Sequence, residues 1–246
     1  MSSLAMSHFR YQLLEQIRVP IGVAASAFFP AAAMAAFVVP FAGDDPVAST
    51  MATGSMTAFG AMSASVIGLG IAVAQARELP WDAYLRTLPA GPFPNFAGRI
   101  LTTMAISLMS IVPVLLIAAF LTEATTTVPR LLLGVLALLV GSVPFMLLGL
   151  LVGYLLPPKA AIAVSQILFF PIAILGGLMF NPLALPPLIA AVSPYVPSRG
   201  MVELIWAVTT DAPTNVTAIV MLVVWTVVLA IGAAWAYRRD EGQRFA

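Results

Sequence analysis

The chain has 246 residues, 61% of them hydrophobic and only 9% charged, and eleven Lys and Arg against ten Asp and Glu leave a net charge of +1. A soluble domain is about one quarter charged, so this composition belongs in a bilayer, and the balance of charge leaves no basic surface for nucleic acid. With no cysteine and a single histidine, His8, the chain is excluded from disulfides, thiolate nucleophiles, thiolate metal sites and most imidazole chemistry.

At the amino end, Met6, Phe9, Leu13 and Ile17 fall on one helical face, with His8, Gln12 and Glu15 opposite. That pattern predicts an amphipathic elbow over residues 4–18 lying in the membrane interface, with His8 solvated. Charge-free intervals then locate the spans, because a charge at the bilayer centre costs at least about 2.5 to 3.5 kcal/mol. Arg18 to Asp44 encloses 25 uncharged residues, Asp45 to Arg77 31, Arg99 to Glu123 23, and Arg130 to Lys159 28. Each exceeds the roughly 20 residues that cross a hydrocarbon core about 30 Å thick. The alanine-rich run at 31–36 looks like a signal-peptidase site, but the uncharged stretch continues past it as a retained span would.

The interval from Lys159 to Arg199 holds 39 residues, about 58 Å as one helix, and must be divided. Pro182, Pro186, Pro187, Pro194 and Pro197 place the end of the fifth span near Phe180 and leave a broken or re-entrant segment over 181–211. A last interval of 26 residues, from Asp211 to Arg238, supplies a sixth span. The expected fold is all-α, one transmembrane domain with spans near 19–42, 51–76, 100–122, 131–156, 160–180 and 214–237. Six spans put both termini on one side. An amino terminus in the cytoplasm gives that side nine of the eleven cations, leaving only Arg130 and Arg199 outside.

The longest cytoplasmic connection is then 77–99. Within it Trp81, Tyr84, Leu85 and Leu88 recur at helical spacing, Pro80 and Pro89 bound the run, and Asp82 and Arg86 are a favourable i,i+4 pair. A two-turn helix with that face must bury it, either on the membrane surface or in a groove of a partner protein. No Asp, Glu, Lys, Arg or His falls inside the spans as drawn, so no proton relay or carboxylate pair for acid–base work is available there. Ser63, Ser65, Ser107, Ser110, Ser142, Ser165 and Gln166 are expected to bond between helices. Gly60, Ala64 and Gly68, and Gly149 with Gly153, are spaced for close helix packing, within the chain or between chains.

The stretch ARELPWDAYLRTLPAGPFPNFAGR, ending at Arg99, is similar to the cytoplasmic loop of type 2 ABC transporter permeases, the membrane subunits of ATP-driven exporters. Glu78, Leu85, Pro89, Gly98 and Arg99 carry the match. Residues 169–208, with Gly176, Gly177, Phe180, Pro186, Pro187, Pro194 and Pro197, resemble the family's segment between fifth and sixth spans. Many members have a Gly-Thr pair where this chain has Leu79, Pro80 and Trp81.

The resemblance implies a coupling helix in which Glu78, Trp81, Tyr84, Leu85, Arg86 and Leu88 meet a separate ATP-binding subunit. That subunit would hold ATP and Mg, with no cofactor in this chain. It further implies a second permease, identical or a sister chain, around a central pathway capped by the external segment, and membership of the drug- and lipid-exporting branch in a bacterial cytoplasmic membrane. The substrate would be an amphiphile, with Phe59, Met62, Phe169, Phe170 and Met179 of the second and fifth spans as its wall. The chain has no GxxxxGK[ST] loop, since its one lysine, Lys159, follows Pro158. A small secondary transporter or channel is the alternative, and an intramembrane enzyme is disfavoured by the missing Cys and carboxylates.

Overall fold

The computed structural model describes residues 2–18, 20–79 and 93–244, and among these there are helices and no strands. Helix α1 (Ser2–Arg18) packs along the start of α4 (Phe93–Leu121). The contact is close because Gly98 has no side chain, and a Cβ there would sit 2.7 Å from that of His8. His8 is consequently half-buried together with Phe9, Gln12 and Leu13, which corrects the expectation of a solvated histidine, while Met6, Tyr11 and Ile17 are exposed.

Helix α2 runs through Pro20–Ala33, a π-helical turn at Met34–Val38 and a last turn at Val39–Ala42. Pro40 offers no N–H to the ladder, and immediately before it Val39 N–H reaches back five residues to the Met34 carbonyl. Helix α3 (Pro46–Glu78) is capped by Asp45, whose carboxylate accepts from the N–H groups of Val47 and Ala48 at 2.8 and 2.9 Å, with Pro46 in the first turn. It is the central helix, every side chain from Ala48 to Met62 being buried. Helix α5 (Val128–Leu155) changes direction at Ser142, before Pro144, and α6 (Pro158–Leu175), α7 (Pro187–Val192), α8 (Pro197–Thr209) and α9 (Val216–Arg244) complete the chain. Five helices, α3, α4, α5, α6 and α9, are long and apolar enough to cross a membrane, and α2 adds a shorter apolar stretch, Ala27–Phe41.

The hydroxyls of α3 do not join helices as expected. Thr53, Thr57 and Ser65 donate to carbonyls three or four residues back in the same helix, at 2.7 to 2.8 Å, and Ser110 and Ser142 do likewise on α4 and α5. The nearest acceptor in a tightly packed bundle is the residue's own helix. The glycine spacing does serve packing within the chain. A Cβ on Gly149 would lie 2.2 Å from the Ser65 carbonyl oxygen, and one on Gly153 2.6 Å from the Val73 side chain, so α5 seats directly on the α3 backbone. Gly68, by contrast, faces open space.

Helix α6 stops at Leu175 rather than near Phe180. Gly176 and Gly177 (φ 83°) end it, with Leu178 N–H bonding the Ala173 carbonyl. In the segment that follows, Leu183, Leu188 and Tyr195 are exposed, whereas α8 is drawn into the core. Helix α8 lies antiparallel to the first half of α5, Gly141 facing Met201 and Gly134 facing Thr209, and it touches α3 at Gly54 and α9 at Ala218. Met201, Val202, Ile205 and Trp206 are all buried there.

Candidate functional site

The end of α3 at Glu78 and the start of α4 at Phe93, which flank residues 80–92 in the chain, mark one end of this bundle, the loop end. Trp81, Tyr84, Leu85, Arg86 and Leu88, the residues expected to contact an ATP-binding subunit, lie outside the described residues. Glu78 ends α3 and is exposed. What the fold builds is the seat of that loop, from both of its shoulders.

On the first shoulder, the Arg77 guanidinium donates to the Asp240 carboxylate and to the carbonyls of Gly153, at 2.8 Å, and Leu156, at 3.4 Å. Those carbonyls belong to the last turn of α5, whose free acceptors a cation satisfies. The same guanidinium stands 5.9 Å from the ring centre of Tyr154. On the second shoulder, Phe96 at the start of α4 meets Tyr237 at 4.8 Å and Tyr154 at 5.7 Å, and these two rings meet each other at 5.4 Å. One compact node therefore joins the ends of α3, α4, α5 and α9. Its ion pair is well withdrawn from water, the Arg77 and Asp240 side chains being 17% and 2% exposed. Charge counting along the chain treats Asp240 as a solvated residue beyond the last span. The available signal is helical spacing, since Ala233, Ala236, Tyr237 and Asp240 continue one face past the uncharged interval.

A second buried ion pair holds α8. Arg199 and Glu203 meet at 2.8 Å, Glu203 also accepts the Asn215 N–H at 3.0 Å, and the guanidinium stacks 4.7 Å from the Trp206 ring. Trp206 in turn donates to the Met51 carbonyl at 2.7 Å, fixing α8 to the middle of the bundle. Sequence reading places both residues in a broken or re-entrant segment and does not identify them as a pair.

The residues proposed for a substrate wall are divided. Phe59 and Phe169 meet edge to face at 4.8 Å inside the α3–α6 contact, Met62 is fully buried with them, and Met179 is half-buried at the edge of the same core. Phe170 touches Phe169 at 5.2 Å but is itself exposed. None of the five lines the cavity of about 300 Å³ that lies between α3, α4, α5 and α8 at the other end of the bundle, the far end, where Arg130 and Asp211 pair at 2.8 Å.

The described residues thus form a helical bundle with several membrane-length helices, a node joining four helix ends at the loop end and α8 packed into the core ahead of α9. Over 187 residues, 76% of this chain and 76% of the other, it is 23% identical to "Putative transport permease YvfS" of Bacillus subtilis (strain 168). The family model described as ABC-2 type transporter matches residues 5–209. That match takes in most of α1, both loop shoulders as far as α5, the α3–α6 contact and α8, and it settles the class: the chain is a multi-pass membrane protein belonging to the ABC-2 type transporter family.

Proposed function

We propose that this subunit is the conduit of an ATP-driven exporter, moving an amphiphilic small molecule or lipid out of the cytoplasm or its facing leaflet while a separate subunit binds ATP and Mg. The observation that carries the reading is the node at the loop end. A loop that only rested on lipid would need no firm seat, whereas a loop that receives a push must transmit it. Here both shoulders are joined by Arg77, Asp240, Tyr154, Phe96 and Tyr237 to two further helices, α5 and α9, so displacement of the loop moves the ends of α3, α4, α5 and α9 as a unit. Rigid elements with firm contacts are what a mechanical coupling requires.

In this reading the elbow and six spans, with α2 as the first, place both termini and residues 77–99 in the cytoplasm of a bacterium. Helix α8 then belongs to an external, re-entrant segment. Glu78, Trp81, Tyr84, Leu85, Arg86 and Leu88 meet the ATPase. A second permease, identical or a sister chain, completes the pathway. Phe59, Met62, Phe169, Phe170 and Met179 respond to substrate through movement of α6 on α3, Phe170 being the member already at the surface.

The test is energetic. Reconstituted alone, the chain should move no amphiphile in response to ATP or to a proton or sodium gradient. Together with its ATPase it should transport with ATP hydrolysis after ionophores have collapsed every gradient. Gradient-driven uptake by the purified chain alone would overturn the exporter reading in favour of a secondary transporter. Orientation is tested by a cysteine placed at Thr126 in this cysteine-free chain, which should react with an impermeant reagent in intact cells.

A further inference from the structure

Helices α4 and α5 follow one another in the chain, yet α4 packs on α3 and the first half of α5 packs on α8, and the two are splayed. The cavity of about 300 Å³ fills the gap between them. Its inner wall includes Thr53 and Thr57 of α3, Ile111 and Leu115 of α4, Leu138 of α5 and Ile205 of α8. The threonines make it look polar, but their hydroxyl protons are committed elsewhere. Thr53 donates to the Ser49 carbonyl at 2.7 Å and Thr57 to that of Gly54 at 2.8 Å, leaving methyl groups to line the space. At the mouth, Thr50 donates to the Pro46 carbonyl at 2.6 Å and accepts the Thr125 N–H at 3.0 Å, which ties the 122–127 link to α3.

No ionisable side chain lines the cavity. A polar ligand entering it would lose hydration and meet only a few hydroxyl acceptors, whereas an apolar one would gain contacts at no such cost. Its shape narrows the choice further. Leu138 lies ten residues into α5 from Val128, and Ile111 ten residues into α4 from Leu121. At about 1.5 Å per residue the cavity reaches about 15 Å inward, half of a hydrocarbon core about 30 Å thick and so the depth of one leaflet. It opens beside Ala119 and Thr126, both exposed, and its lining residues Leu115, Ala119, Leu131 and Val135 are each followed in the chain by an exposed apolar side chain, Leu116 and Phe120 on α4 and Leu132 and Leu136 on α5. Along those side chains the neighbouring medium is lipid.

We propose that this cleft holds one acyl chain of an outer-leaflet phospholipid, its headgroup resting at Thr125 and Thr126. The leaflet rests on the orientation given under Proposed function; the chemistry of the occupant does not. A seated acyl chain keeps α4 and α5 apart without exposing the α3 hydroxyl-bearing face to water, and gives an emerging amphiphile a place whose occupant it can exchange with.

The full chain is reconstituted in phosphatidylethanolamine and phosphatidylglycerol vesicles containing a phosphatidylcholine with a diazirine at the end of one acyl chain, irradiated, and mapped by mass spectrometry. Adducts are expected on Ile111, Leu115 and Leu138, which bulk lipid reaches poorly, as well as on the lipid-facing Val112 and Leu116. Filling the cavity with Val135→Trp should lower the first set about tenfold, as an occupied apolar cavity excludes its guest, and leave the second set unchanged. Ala119→Trp at the exposed mouth should do the same with no demand on the core. Adducts confined to Val112 and Leu116, or cleft adducts indifferent to both tryptophans, would overturn the site. If the cleft adducts behave as expected but a cysteine at 126 reacts only after cells are opened, the orientation fails and the outer-leaflet assignment with it.

Discussion

Two ion pairs close opposite ends of this bundle, and they sit in different media. At the loop end the Arg77 and Asp240 side chains are 17% and 2% exposed; at the far end those of Arg130 and Asp211 are 42% and 86% exposed. The far pair keeps most of its hydration whether or not it forms, so its attraction is screened and largely offset by the entropy of holding two side chains. The buried pair has already given up its hydration. Its partners, the carbonyls of Gly153 and Leu156 included, are what keep the ions tolerable. The difference teaches where this fold is made stiff, which is around the seat of the loop proposed to meet the ATPase.

The largest effect should therefore come from Arg77→Ala. It strands a buried carboxylate, and breaking such a pair costs about 3 to 5 kcal/mol. Thermal unfolding of the purified protein in detergent should move down sharply, and ATP-driven transport should be lost. Replacing both partners, as Arg77→Met with Asp240→Leu, should recover much of the stability because no ion is left unpaired. It should not recover transport, because the first shoulder has lost its hydrogen bonds to the last turn of α5. A double replacement that restores both would reduce the node to a structural filler and break the comparison at its buried end.

The next effect tests whether stiffness extends along α3. Gly149→Leu would drive a side chain into the Ser65 carbonyl, 2.2 Å from the position of the added Cβ. Backbone cannot yield as a flexible side-chain tip does, so a loss of about 1 to 3 kcal/mol or more is expected, again read as a lowered unfolding temperature. Trp206→Phe should follow. It takes the 2.7 Å indole donor from the Met51 carbonyl, which keeps the Ser55 hydroxyl at 3.3 Å, a loss of about 0.5 to 1.5 kcal/mol, and removes the indole from under Arg199. Protease sensitivity of α8 should rise with it while the loop end stays protected.

The spans and their approximate order were legible because uncharged length is a direct physical requirement of crossing a bilayer, and α3, α4, α5, α6 and α9 follow from it. The same rule hid the most informative contacts. It treats every charge as a boundary marker in water, and so reads Asp240, Arg199 and Glu203 as solvated when each is satisfied by a partner distant in sequence or one turn away. The prolines of 182–197 mark a broken or re-entrant segment for a sound local reason, but its place is set by Gly54, Gly134 and Gly141, scattered over two other helices, which open the space that lets α8 inside. No local window contains that coincidence. His8 was misplaced similarly, its environment set by Gly98 across the bundle.

The smallest expected effect is the sharpest check on the exposed side of the comparison. Arg130→Ala removes the far-end pair, whose partner Asp211 is already in contact with solvent, and should change stability by about 1 kcal/mol at most. A double-mutant cycle with Asp211→Ala should give a coupling that falls further as salt is raised, since the charges are within reach of mobile ions. Transport should be nearly unchanged, because neither residue belongs to the node or to the α3–α6 contact. A coupling as large as that of Arg77 with Asp240, and insensitive to salt, would mean that the far end is covered in the assembled transporter. The most economical cover would be the second permease, so the same measurement repeated on the complex with its ATPase would locate that contact at α8 and the start of α5 instead of leaving these elements open to water.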